Sequence, residues 1–156
     1  MDAENTLYLD LEAGRVTIEL YGDVAPNHVS RIKELARSGF YDGLTFHRVI
    51  EGFMAQGGDP DGTGMGGSGK NIPAEFSDKS HHRGACSMAR SQDPDSANSQ
   101  FFIMFAEGSF LNGKYTVFGK VTEGMENVDA IKRGAGQNGA VETPDKIVKM
   151  RTADKY

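Results

Sequence analysis

Two stretches of the chain set a side-chain amide beside a large apolar group. In "FMAQGGD", residues 53–59, extended backbone puts Met54 and Gln56 on one face, and in "SQFFIMF", residues 99–105, it does the same for Gln100 and Phe102. The intervening Phe101, Ile103 and Phe105 then point the other way, into a core. An apolar floor with a polar wall is what a ligand pocket needs; a partly exposed sheet surface carries the same pattern. Arg48, in "TFHRVIEGF" just ahead of the first stretch, adds a rigid, charged fork of donors. A surface ion pair is the ordinary use of such a residue, and a donor aimed at a substrate is the functional one.

The glycine-rich stretch "DGTGMGGSGKN", residues 61–71, offers a different chemistry. Gly62, Gly64 and Gly67 spell G-x-G-x-x-G, and Gly64, Gly69 and Lys70 spell G-x-x-x-x-G-K. A phosphate loop needs a strand before it and a helix directly after it, so that the helix N-terminus faces the phosphates. Here Asn71 stands in place of the magnesium-binding hydroxyl, Pro73 follows, and "NIPAEF" has no helical period. Nucleotide binding is therefore set aside, and the stretch is expected to be a flexible surface loop bordering a neighbouring groove. His81-His82 reads as a solvated loop with no further metal ligands nearby. Neither His28 nor His47 shows an acid partner in the sequence, and Cys86 has no marked base, so none is assigned a catalytic role.

The elements that must position these residues can be read from periodicity. Leu7, Leu9 and Leu11, then Val16, Ile18 and Leu20, alternate with polar residues across an Ala13-Gly14 turn, which predicts an antiparallel hairpin. Pro26 suits the first turn of a helix and Gly39 the position just past its end, with Val29, Ile32, Leu35 and Ala36 on one face. A second helix is expected over 124–134, with Met125, Val128 and Ile131 inward and Gly134 at the stop. Further strands are expected at 44–50, 53–57, 85–89, 100–105, 116–121 and 146–153. Strands dominate without regular alternation with helices, so the expectation is a mainly β fold, a closed antiparallel barrel with two helices. The long irregular stretch from Gly58 to Arg83 is of a length that usually serves function.

Bulk properties narrow the function. A length of 156 residues suits one domain, 1–156, with a sizeable core, and 38% hydrophobic with 25% charged residues is a soluble globular composition. The net charge of -5 and the absence of a basic run argue against a nucleic-acid partner. The single cysteine excludes an internal disulfide and suits a reducing compartment. No signal peptide and no membrane span is read from the N-terminus or elsewhere, so a cytoplasmic location is expected.

Long blocks then carry a resemblance. "FHRVIEGFMAQGGD" (46–59) closely resembles the signature of the cyclophilins, the cyclosporin-type peptidyl-prolyl isomerases, and "SMARSQDPDSANSQFFI" (87–103) and "SFLNGKYTVFGKV" (109–121) follow in that family's order. The resemblance covers nearly the whole chain. It implies an eight-stranded antiparallel barrel capped by two helices, and an enzyme that accelerates rotation about X–Pro bonds and assists protein folding. Carried over by motif, the catalytic arginine matches Arg48, with Gln56 and Phe53 beside it. The proline-ring pocket matches Phe53, Met54, Phe102 and Leu111, with Tyr115 at its edge, and the polar wall matches Gln56 and Gln100. The backbone edge that holds the substrate chain matches Ala89, Arg90 and Ser91. Phe110 stands where the family often has tryptophan, Arg90 where its best-known eukaryotic members have asparagine, and Tyr115 where they have histidine. This combination resembles the bacterial branch and implies weaker cyclosporin A binding than in tryptophan-containing members. The resemblance implies proline-containing polypeptides as partners, no cofactor and no metal, and the complete barrel expected here favours a monomer. The alternative is a non-catalytic module or chaperone that holds proline segments in the same groove.

Overall fold

The hairpin forms as its alternation requires. In the computed structural model, which describes residues 2–156, β1 (Thr6–Leu11) and β2 (Gly14–Leu20) pair antiparallel, with Leu7 opposite Ile18 and Leu9 opposite Val16. All four of these side chains are buried. The chain then enters α1 (Pro26–Ser38), whose buried face carries Val29, Ile32, Leu35 and Ala36. Ala25 at the helix start offers no side-chain acceptor. Glu75 supplies one from the long loop, accepting the amides of Asn27 at 3.1 Å and His28 at 2.8 Å. A carboxylate there also meets the positive end of the helix dipole. Gly39 ends α1 in the left-handed region at φ 83°, where a side chain is disfavoured.

The remaining strands are β3 (Arg48–Ile50), β4 (Met54–Gly57), β5 (Ala85–Met88), β6 (Phe101–Met104), β7 (Val117–Glu123) and β8 (Ile147–Thr152). They form one sheet in the order β3-β4-β6-β5-β7-β2-β1-β8. Every pairing is antiparallel. The expected closed barrel is corrected here: the sheet is an open half-barrel, because no ladder joins β3 to β8. The edge of β3 is covered instead by loop backbone, with Val49 N–H donating to Gly139 O at 2.8 Å and Gly134 N–H to Val49 O at 2.8 Å. Ahead of both strands, Thr45 bridges to Lys146.

The same loop explains why the second helix is shorter than expected. α2 spans only Met125–Asp129. Gly134 does not stop a helix; its backbone lies so close to the next pass of the chain that a Cβ would sit 1.9 Å from Gly139 O. Having left the helix, the chain puts its amides on β3.

The two faces of β6 separate two apolar clusters. Phe101 and Ile103 join the main core with Leu9, Ile18, Ile32 and Phe46. Phe102 and Met104 lie on the opposite face with Met54, Ala85 and Leu111, and Phe53, Ala89 and Tyr115 pack against them. Leu111 is delivered by a short 3-10 turn, Ser109–Leu111. Among the described residues, no helix is long and apolar enough to cross a membrane.

Candidate active site

The second apolar cluster is the floor of an open cavity of about 310 Å³, lined by Arg48, Phe53, Met54, Gln56, Ala89, Arg90, Phe102, Phe110, Leu111 and Tyr115. Strand register brings these residues together. Arg48 lies opposite Gln56 across β3 and β4, and Gln56 lies opposite Phe102 across β4 and β6. Met54, Phe102 and Leu111 are almost fully buried, whereas Phe110 is 63% exposed at the rim. Phe110 leans on Phe53 with ring centroids 5.6 Å apart. Tyr115 meets Phe102 edge-on at 5.9 Å.

A chain of polar contacts holds Arg48. Its Nε donates to Asn138 O at 2.9 Å and its Nη1 to Gln56 Oε1 at 3.0 Å. Gln56 Nε2 donates to Gln100 Oε1 at 2.9 Å, and Gln100 Nε2 donates to the carbonyls of Gly64 and Gly66, each at 3.0 Å. Each amide thus has one orientation that satisfies both neighbours. The guanidinium is fixed at the pocket with donors left over, and no carboxylate among the described residues pairs with it.

Ser91 and Gln100 do not line this pocket. They line an adjoining cavity of about 530 Å³, which shares Gln56, Ala89 and Arg90 with the first. Arg90 pins the shared wall: Nη2 donates to Lys114 O at 2.7 Å, Nη1 to Ser91 O at 2.9 Å, and the guanidinium lies 4.5 Å from the Tyr115 ring centre. Glycines 64, 66, 67 and 69 form the far wall. The loop expected here is tied to the body of the protein at several points. Buried Asp59 accepts the amides of Asp61 and Thr63 at 2.9 Å and of Gly64 at 2.5 Å. Burial pushes the Asp59 carboxyl up, but these amide donors outweigh it and hold the group below the usual carboxylate range. Ser68 is tied to Asn98 and, through Oγ, to Arg31 at 2.9 Å. No helix directly follows Lys70.

Two readings of histidine are also corrected. His81 is not solvated but fully buried. Its Nδ1 lies 3.0 Å from Asn112 Oδ1 and its Nε2 2.9 Å from Ser87 Oγ. The ring stacks on Phe102 at 6.1 Å and 16°, so it backs the pocket floor. Burial lowers its pKa, only partly countered by the Asn112 bond. No signal in the sequence marked it, because Ser87 six residues on has no periodic relation to it and Asn112 lies 31 residues away. His28 does have an acid partner: Nδ1 is 2.6 Å from Glu75 Oε1. Burial lowers its pKa against the pull of that carboxylate. His47 is likewise lowered by burial, against the charge of Asp59. Cys86 is a buried free thiol whose pKa burial raises.

Residues 6–152 match the family model described as cyclophilin type peptidyl-prolyl cis-trans isomerase/CLD. A probable peptidyl-prolyl cis-trans isomerase of Brucella suis is 55% identical over 161 residues, covering 95% of this chain and 82% of that protein. Peptidyl-prolyl cis-trans isomerase B of Bacillus subtilis is 48% identical over 132 residues, covering 83% and 92%. Among solved structures, a cyclophilin from Hirschia baltica superposes with a TM-score of 0.90 at 29% identity, covering 100% of this chain and 76% of that one. A Cryptosporidium parvum cyclophilin-type isomerase, solved in the presence of the dipeptide Ala-Pro, gives 0.86 at 29%, covering 94% and 98%. With a family match over almost its entire length and isomerases among its bacterial relatives, the chain belongs to the cyclophilin-type peptidyl-prolyl cis-trans isomerases.

Proposed function

We propose that the 310 Å³ cavity is the isomerase site and that Arg48 is its catalytic donor. The observation that carries this reading is the held guanidinium: two hydrogen bonds fix Arg48 beside an apolar floor, with no carboxylate partner among the described residues. X–Pro bonds interconvert in tens to hundreds of seconds because amide resonance must be broken. Twisting the bond restores the lone pair of the prolyl nitrogen. A donor to that nitrogen favours the twisted state over both planar isomers, which is what catalysis requires. Lowering the barrier by about 7 kcal/mol gives roughly a 10⁵-fold acceleration.

In this scheme Phe53, Met54, Phe102 and Leu111 hold the proline ring, with Tyr115 and Phe110 at its rim. Gln56, Gln100 and the backbone of Ala89, Arg90 and Ser91 hold the flanking chain. No nucleophile or proton transfer is required. The chain acts as one domain and a monomer on proline-containing polypeptides in the cytoplasm, assisting their folding, with no nucleic-acid partner. A protease-coupled assay on a blocked Ala-Ala-Pro-Phe peptide tests the reading. Catalysed cis-to-trans conversion is expected; saturable peptide binding with an uncatalysed rate would instead identify a non-catalytic proline-binding module.

A further inference from the structure

The ion pairs of this chain are unevenly placed. Arg15, Arg31, Arg37, Arg83, Arg133 and Arg151 each pair with a carboxylate. The two arginines left, Arg48 and Arg90, have no carboxylate partner among the described residues, and both line the substrate groove. Their donors go to neutral acceptors: Asn138 O and Gln56 Oε1 for Arg48, and the carbonyls of Lys114, Ser91 and Gln92 for Arg90. A neutral carbonyl orients a guanidinium but does not cancel its charge. Neither cavity is lined by an Asp or Glu. Asp59 and Asp61 lie against Gly66 but line neither, and the Asp59 carboxylate is occupied by loop amides. A molecule of net charge -5 thus keeps two uncompensated positive charges in its groove. A concave site of one sign over an apolar floor concentrates the opposite charge.

We infer that the groove selects acidic proline segments, and that Arg90 is the specificity-determining residue. This deepens the proposed function and rests on the same site. Arg48 is committed to the prolyl nitrogen. Arg90 stands where the two cavities meet, so it faces the residues next to proline as the chain passes from one cavity into the other. A substrate carboxylate there needs no movement of the protein, because carbonyls already hold the guanidinium.

The test uses blocked peptides carrying Glu or isosteric Gln one or two residues before or after a single proline. For each, kcat/KM comes from proton-exchange NMR and Kd from fluorescence titration, at pH 7.5. In wild type, Glu should be favoured over Gln about fivefold at one of these positions at low salt, the effect of one partly exposed ion pair. The ratio should shrink toward one in 0.5 M NaCl. Arg90→Lys should keep most of the ratio and Arg90→Gln should abolish it, whatever happens to the absolute rate. A merely structural Arg90 would change both peptides alike. A wild-type ratio near one at every position overturns the proposal, as does a ratio that survives in folded Arg90→Gln. If no peptide is turned over, the isomerase assignment of the groove fails, while the Kd ratio still decides the charge preference.

Discussion

Replacing Gln56 with leucine leaves the donor Arg48 in place but removes one of the two bonds that position it, along with a contact to the flanking chain. Leucine nearly conserves the side-chain volume, so the apolar floor stays filled. It removes the bond from Arg48 Nη1 at 3.0 Å and the bond to Gln100 at 2.9 Å. A bond with one charged partner contributes about 1.5–3 kcal/mol and a neutral one about 0.5–1.5 kcal/mol. Both side chains are only partly buried and regain water, so folding stability should fall by no more than about 1–2 kcal/mol. The transition state loses more selectively. Arg48 keeps only its Nε bond to Asn138 O, about which the fork can turn. A loss of about 1–2 kcal/mol in transition-state binding lowers kcat/KM roughly 5- to 30-fold. Gln100→Leu, one step further along the chain of contacts, should cost less. Progress curves on the Ala-Ala-Pro-Phe peptide, with urea midpoints for each variant, make the comparison. Folded Gln56→Leu protein with kcat/KM within twofold of wild type would show that the contact chain does not position the donor.

Gly58 sits at φ +92°, and a Cβ there would meet Ser99 O at 2.6 Å, so Gly58→Ala should destabilise the fold by about 2 kcal/mol or more; an unchanged urea midpoint refutes this. Burial holds His28, His47 and His81 below their ordinary pKa. The unfolded chain therefore binds more protons below about pH 6.5, and the stability present above that pH is lost as pH falls. A urea midpoint at pH 5.0 equal to or above that at pH 7.5 would contradict it. Phe110→Trp adds an indole donor, about 0.5–1.5 kcal/mol, and a larger ring, about 1 kcal/mol. Cyclosporin A should then bind the variant roughly tenfold to a hundredfold more tightly, and equal affinities in direct titration would refute the reasoning.

Local patterns were legible in the sequence, and distant partners were not. The alternation of Leu7, Leu9, Val16 and Ile18 set the hairpin register, and Pro26 and Gly39 marked both ends of α1, because those signals act over a few residues. Period-2 reasoning also separated Phe101 and Ile103 from Phe102, and so found the pocket floor. The open sheet was hidden because what covers β3 is a loop amide ladder from residues 134–141, not a strand. Glu75 caps α1 from 47 residues away, and His81 is buried through Ser87 and Asn112. Neither has a periodic signature. The glycine stretch resembled a phosphate loop because glycines allow close backbone approach in both settings; here that approach builds a groove wall held by Asp59, Asn98 and Gln100.

The central claim is that Arg48 acts as a fixed, non-titrating hydrogen-bond donor. It is tested most directly by kcat/KM between pH 6 and 8 for wild type, Arg48→Lys and Arg48→Ala, with folding checked by circular dichroism. A guanidinium does not titrate in this range, so the wild-type profile should be flat. Lysine keeps the charge but not the planar fork, and both variants should lose about 2–4 kcal/mol of transition-state stabilisation, as for other preorganised donors. Peptide affinity should change less, since the apolar floor and both glutamines remain. Near-normal turnover by folded Arg48→Ala would remove Arg48 from the mechanism, and a steep wild-type limb within this range would show that a titrating acid or base takes part instead.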